Sequence, residues 1–415
     1  MTPITRRHRD TDTPVCVTSR RHFFRTSAAA SVAAFARPSA LAQQQVRASP
    51  KPCPASAWQK HGIVLEATEP WESGLFQNFT TVAEPLQEDT WRLWYSVGGG
   101  KDGFNVALAE GAPGRRWKKT PAVLSAGDPP DAPLAIGNLP AGWRPTQAVH
   151  VLLRDGRHRI YFWAHGPRIV RYLAAESDDG RRYRVLDPSR GVLYHPHDRA
   201  AWGVASPDGV LFHAEHSRER PTDEPLALPR QISNDATNVY QLPDGSFEMY
   251  SVALVRVPQT DPAYIAHDNV PGYLRVVDRY ASADGVNFET RHRVIQRDAD
   301  DPADMQFYYL SQTLTPQGRV GMLGHYRCDE QTMDLEWCFS PDGKTWERPK
   351  RQAWLPRSEP PAPDCLGIYA NSRLVHHGGR WHLFYTAFNS THNGKTAHGA
   401  PRQVVMHAST DSIWA

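Results

Sequence analysis

The feature that most constrains this chain is a module repeated along it. An aromatic strand is followed by a turn, a second strand, then Ser-x-Asp-Gly or a relative, then another aromatic. The leading strands are Trp91-Arg-Leu-Trp-Tyr-Ser96, Arg159-Ile-Tyr-Phe-Trp163, Ser246-Phe-Glu-Met-Tyr-Ser251, Val320-Gly-Met-Leu-Gly-His-Tyr326 and Arg380-Trp-His-Leu-Phe-Tyr385. The clearest turns are Ser177-Asp-Asp-Gly180, Ser282-Ala-Asp-Gly285 and Ser340-Pro-Asp-Gly343, followed by Tyr183, Phe288 and Trp346. Each strand alternates apolar and polar residues with period two, as a half-buried antiparallel strand must. The Asp-Gly pair supplies the positive φ that a tight turn needs.

Five such modules, each preceded by a further strand, predict an all-β chain: a five-bladed β-propeller over 62–415. The expected inner strands are Gly74–Val82, Thr146–Leu153, Ala236–Leu242, Met305–Leu314 and Gly367–Val375. The chain ends one strand short of a complete fifth blade. Residues Gly62–Ala67 are therefore expected to join the last blade and close the ring, covering its open edge. An extra turn, Ser206-Pro-Asp-Gly209, is read as the outer hairpin of an enlarged second blade. A six-bladed ring and a β-sandwich with similar hairpins are the alternatives.

Residues 1–42 read as a twin-arginine signal peptide. Ser19-Arg-Arg-His-Phe-Phe-Arg25 precedes an alanine-rich apolar stretch, Thr26 to Phe35, and the small-residue site Ala40-Leu-Ala42. That stretch is too short to anchor in a bilayer core of about 30 Å. Residues 43–61 are expected to be a linker. The implied location is periplasmic or secreted, with the twin-arginine export machinery as a partner and no membrane span after cleavage. The leader holds seven arginines and two aspartates, so removing it turns a net charge of +3 into about −2. A near-neutral mature chain without a Lys/Arg run gives no reason to expect nucleic acid.

The 35 prolines, 29 glycines, 13 tryptophans and 15 tyrosines suit short strands and turns rather than long helices. No Cys-x-x-Cys spacing exists; Cys328 and Cys338 flank one hairpin and are either a disulfide or two buried thiols. The paired histidines (195 and 197, 213 and 216, 376 and 377, 392 and 398) lack His-Glu-x-x-His spacing, so no metal site is expected. No nucleotide-binding glycine loop and no Gly-x-Ser-x-Gly elbow is present.

In a propeller, polar residues at the starts of the inner strands converge on one axial funnel. Candidates are Glu72 and Asn78 in the first blade, Asp235 and Asn238 in the third, Asp304 and Gln306 in the fourth, and Tyr369 and Asn371 in the fifth. Trp71, Trp143 and Tyr308, with Tyr309 beside it, are the aromatics placed to stack on sugar rings.

The five-module pattern, with the segment Asp304-Met-Gln-Phe-Tyr308, resembles the five-bladed propeller glycoside hydrolases. That superfamily includes arabinanases, β-xylosidases, invertases and levansucrases, and the resemblance covers most of Glu72–Trp414. It implies three carboxylates from different inner strands, one attacking or activating water, one tuning and one protonating the leaving oxygen. On this chain they map to Glu72 as base or nucleophile, Asp235 as tuning carboxylate or acid, and Asp304 as the other acid. The superfamily commonly places Asp where Glu72 stands, and the Arg-Asp-Pro and Glu-Cys segments of the invertase branch have no clear counterpart. The resemblance allows an axial Ca²⁺. The readings carried forward are a glycan-cleaving enzyme, a non-catalytic carbohydrate-binding propeller, and a cofactor-containing periplasmic enzyme.

Overall fold

The computed structural model describes residues 49–415 except 73–81, 88–89, 99–103, 128–129, 166–169, 189–190, 193–210, 213–230, 234–235, 269–270 and 289. The expected leader, Asn78, Asp235 and the turn at Ser206 therefore lie outside the described residues. Among those described there is no α-helix, only two three-residue 3-10 turns; the rest of the regular structure is strand. No helix among them is long and apolar enough to cross a membrane.

The strands fall into antiparallel successions. Val82–Gln87, Thr90–Gly98, Phe104–Gly111 and Lys118–Val123 form the first. Arg144–Leu152, His158–His165, Val170–Ser177 and Arg182–Val185 form the second, and Asn238–Gln241, Phe247–Arg256, Tyr273–Ser282 and Thr290–Ile295 the third. Met305–Thr315, Gly318–Arg327, Thr332–Ser340 and Ala353–Leu355 follow. Last come Gly367–Ala370 with Val375–His377, then Arg380–Phe388 and Gln403–Thr410. A single parallel bridge, Met333 to Gly367, links these last two successions into one sheet. Gln59–Glu66 pairs antiparallel with Gln403–Thr410, supplying its outer neighbour. Such small twisted sheets are those of a propeller.

The apolar core is distributed between the sheets. Trp94, Leu108, Ile160 and Phe162 belong to one cluster spanning the first and second successions. Tyr161, Trp163, Met249 and Phe288 join the second to the third. Tyr250, Val277, Phe307 and Leu310 join the third to the fourth. A larger cluster runs from Tyr309 and Trp337 to Tyr385 and Met406. Trp91 and Tyr95 meet Val64, Phe384 and Val405, from the last succession and its N-terminal partner strand.

The Ser-x-Asp-Gly turns share one hydrogen-bond pattern. In each, the Gly N–H donates to the Ser hydroxyl (2.9, 2.9 and 2.7 Å), and the Asp carboxylate accepts the next two backbone N–H groups. The glycines at 180, 285 and 343 have φ of 69°, 74° and 76°. Their carbonyl side docks on the preceding sheet: Tyr161 Oη donates to Gly285 O at 2.8 Å, and Tyr250 Oη to Gly343 O at 3.1 Å.

The expected first inner strand Gly74–Val82 lies outside the described residues except at Val82, where the described strand Val82–Gln87 begins. Pro85 is accommodated because this is an edge strand, where a missing N–H breaks no necessary ladder bond. One expectation is corrected. The fifth inner strand is interrupted between Ala370 and Val375. Cys53, Cys328, Cys338 and Cys365 are all buried free thiols, which resolves the disulfide alternative.

Candidate functional site

Antiparallel register fixes which groups share an end of each sheet. Met305 pairs Arg327, which pairs Thr332; Gly367 pairs Phe388, which pairs Gln403; Arg256 pairs Tyr273. The starts of the inner strands therefore lie at the same end as the loops 257–272, 328–331 and 389–402.

Those three loops are stitched together through Gln331, a residue with φ of 58°. Its Nε2 donates to His267 O at 2.8 Å, its Oε1 accepts Asn393 N at 3.0 Å, and its carbonyl accepts His392 N at 3.0 Å. Asn393 Nδ2 also donates to His267 O at 2.7 Å. The stitching fixes the half-buried His392 ring over two phenols. Tyr308 Oη shares a hydrogen bond with His392 Nε2 at 3.0 Å, and Tyr369 Oη with Nδ1 at 3.2 Å.

Beneath this lies a buried charge pair. Arg275 Nη1 donates to Asp268 Oδ2 at 2.9 Å and to Gln306 Oε1 at 2.6 Å, while Tyr326 Oη donates to Asp268 Oδ1 at 2.8 Å. The Arg275 guanidinium lies 4.7 Å from the Tyr308 ring centre and 5.3 Å from that of Tyr326, within cation–π range. Burial pushes the Asp268 carboxyl up, but the Arg275 charge and the Tyr326 hydrogen bond outweigh it and hold Asp268 below its usual range. Burial and the Asp268 charge raise the Tyr326 phenol, so it stays a neutral donor. The result is a fixed, ionised pair roofed by aromatics.

Asp304 stands just before its inner strand at the same end, 9% exposed. Arg327 Nε reaches both its oxygens at 3.0 Å, and Arg327 Nη2 lies 2.8 Å from Oδ1. Cys328, next in sequence, donates from Sγ to Asp304 O at 2.9 Å, and burial pushes its thiol up to about 12.

Glu72 is sealed. It has no exposed surface. Its carboxylate is ion-paired with Lys119 and accepts from Tyr95 Oη at 3.0 Å and Glu69 N at 2.8 Å. These contacts hold it beside both the second and the outermost strand of the first sheet.

Gln306, Tyr308 and Tyr369 are brought together, but as supports. The two tyrosines are 2% and 3% exposed and hold His392 from below rather than presenting open faces. Asn238 donates to Leu310 O at 3.1 Å and Ser311 Oγ at 3.2 Å, joining neighbouring inner strands. Asn371 is fully buried, and neither polar atom of its amide has a partner among the described residues. Trp143 packs with Leu139 on the cluster between the first two sheets. Trp71 packs beside Trp117 and lines a cavity of about 310 Å³ with Lys118 and Pro121. Asp268, Arg275 and Gln331 carry no periodic or motif signal, Tyr326 reads only as the end of a repeat strand, and His392 reads from sequence as one histidine among many.

Solved structures share this architecture. One described as a glycoside hydrolase superposes with a TM-score of 0.55 at 15% identity, over 88% of this chain and 92% of that one. A thermostable family-43 glycoside hydrolase gives 0.51 at 9%, over 80% and 90%. A glycosyl hydrolase from Bacteroides ovatus gives 0.51 at 11%, over 86% and 96%. No protein-family model and no curated protein matches the sequence. The likeness is one of fold: this is an all-β chain with propeller-type sheets. More particularly, it superposes on solved structures described as glycoside hydrolases, a family-43 enzyme among them.

Proposed function

We propose that the protein is a glycosidase-like enzyme, a five-bladed propeller that cleaves glycosidic bonds of an envelope or environmental glycan after export by the twin-arginine route. The observation that carries this reading is the rim stitched by Gln331, which sets His392, the Asp268–Arg275 pair and Asp304 at the inner-strand starts of a glycoside-hydrolase fold. The five-blade count is supported by the apolar clusters that follow one another from sheet to sheet, the last including the N-terminal partner strand. Closure is supported by the pairing of Gln59–Glu66 with Gln403–Thr410.

In this reading Asp304, paired with Arg327, is one working carboxylate. Asp235, three residues before the inner-strand residue Asn238, is the other. His392 contacts the sugar from the rim. Hydrolysis requires one protonated and one ionised group across the scissile bond. The test is a released-sugar screen of the mature protein over arabino-, xylo-, fructo- and manno-configured glycans, with Asp235→Asn and Asp304→Asn alongside. Release by the native chain and a loss of about 10²-fold or more in each variant support the assignment. Undiminished activity in a variant removes that residue.

A second reading, a non-catalytic carbohydrate-binding propeller, draws on a specific observation: Glu72 and Asp304 are each saturated by a fixed cation. Glycan binding without release on every substrate would favour it.

A further inference from the structure

At the opposite end of the inner strands, a second polar cluster is built from residues that the candidate glycan site does not use. Glu84 lies on Val82–Gln87, His150 on Arg144–Leu152 and His158 at the start of His158–His165. Gln87 pairs Thr90 and Leu152 pairs His158, so all three sit near the hairpins that end the first two inner strands. His150 Nδ1 is 2.9 Å from Glu84 Oε2, and His150 Nε2 is 2.9 Å from His158 Nδ1. One ligand atom from each residue lies within 4.8 Å of the other two.

We propose that this cluster is a binding site for a borderline divalent transition cation, with Zn²⁺ as its representative. The ligands are His150 Nε2 and His158 Nδ1. Zinc–imidazole bonds of about 2.0–2.1 Å at a tetrahedral angle separate two nitrogens by roughly 3.3 Å. The present 2.9 Å spacing is that of two ligands hydrogen-bonded to each other, and it opens by a few tenths of an ångström when the ion replaces the shared proton. Glu84 Oε2 lies at ion-pair distance from His150 Nδ1, and a proton on that nitrogen leaves Nε2 bare for the metal. Its other oxygen accepts from Arg373 Nη2 at 3.0 Å, so the carboxylate is itself oriented. Arg92 places a positive charge near His158, and Asp179 adds a negative one to that of Glu84. His158 is half-buried and leaves a route for the water that completes the coordination. An imidazole pair selects zinc, copper or nickel over the oxygen-seeking Ca²⁺. The site joins strands of three successions: Glu84 of the first, His150 and His158 of the second, and Arg373, between the two short inner strands of the last. A bound ion there clamps the ring and takes no part in glycan cleavage.

The test is calorimetric titration of the chelator-treated mature protein with Zn²⁺, with Ca²⁺ as control, beside His158→Gln, Glu84→Gln and Arg373→Ala. Folding of each variant is checked by circular dichroism. One saturable equivalent of Zn²⁺ that raises the melting temperature is expected, with no competition from Ca²⁺. His158→Gln should abolish it, and Glu84→Gln should weaken it by about 10–100-fold. Co²⁺ in place of Zn²⁺ should give the visible absorption of an imidazole-ligated ion, lost in His158→Gln. Arg373→Ala, which touches only the orienting carboxylate, should weaken binding less than His158→Gln. No saturable binding, or binding unchanged in folded His158→Gln, would overturn the proposal.

Discussion

Lys119 and Glu72 show how much one buried pair commands. Lys119 is only 11% exposed at its side chain and Glu72 not at all, so removing the cation strands a charge where no water reaches it. Lys119→Met should cost about 3–5 kcal/mol in urea-melt stability, whereas the double substitution Lys119→Met with Glu72→Gln should cost clearly less. At this scale the sequence revealed the presence of groups but not their facing. The position of Asp304 just before a strand was legible because the long apolar and aromatic run Met305–Thr315 follows it. The pairing of Glu72 with Lys119 was not, because Lys119 is 47 residues away in sequence and nothing local announces it. Asp268 and Arg275 met through a loop whose course no periodicity encodes.

At the scale of elements, the Ser-x-Asp-Gly turns and the N-terminal strand make separate predictions. A Cβ at Gly285 would lie 2.7 Å from Tyr161 Oη and 2.9 Å from Phe247 Cδ1, whereas one at Gly245 meets nothing within 4 Å. Both glycines have positive φ, 74° and 91°. Gly245→Ala should therefore show the backbone cost alone, about 1 kcal/mol, and Gly285→Ala a further 1–3 kcal/mol by chemical denaturation. The N-terminal strand Gln59–Glu66 carries His61, stacked at 4.6 Å on His407, which shares a 3.0 Å hydrogen bond with His382. Burial, then the neighbouring histidines, lowers His407 to about 3, and burial also lowers His61 and His382. The unfolded chain then binds protons more readily than the folded one. Stability from these rings is complete above about pH 6.5 and is lost as pH falls toward 3. The melting temperature should drop between pH 7.5 and 4.5, and a folded His407→Leu variant should flatten that slope. Period-two alternation made most of these strands readable, and the Asp-Gly turns fixed their spacing. The extension of the first inner strand to Gln87 was missed because Pro85 interrupts the pattern without ending the strand.

For the whole molecule, the repeat announced sheets in series, and their packing one on the next follows from aromatic residues facing both ways. What the sequence left open was the chemistry, because a shared fold at 9–15% identity transmits architecture and not a set of acids. The proposed export by the twin-arginine route makes its own prediction. Replacing Arg20 and Arg21 by lysine should retain the precursor in the cytoplasm, read by fractionation and by the mobility of the uncleaved chain.

The claim on which the account rests is that glycan chemistry belongs to the inner-strand mouth bearing Asp304, and not to the sealed acid at position 72. The most direct measurement is the initial rate of sugar release by folded Asp304→Asn and Glu72→Gln, run side by side on the best glycan of the screen. The account predicts a loss of about 10²-fold or more in the first and a near-native rate in the second. A silent Glu72→Gln beside a fully active Asp304→Asn would contradict it.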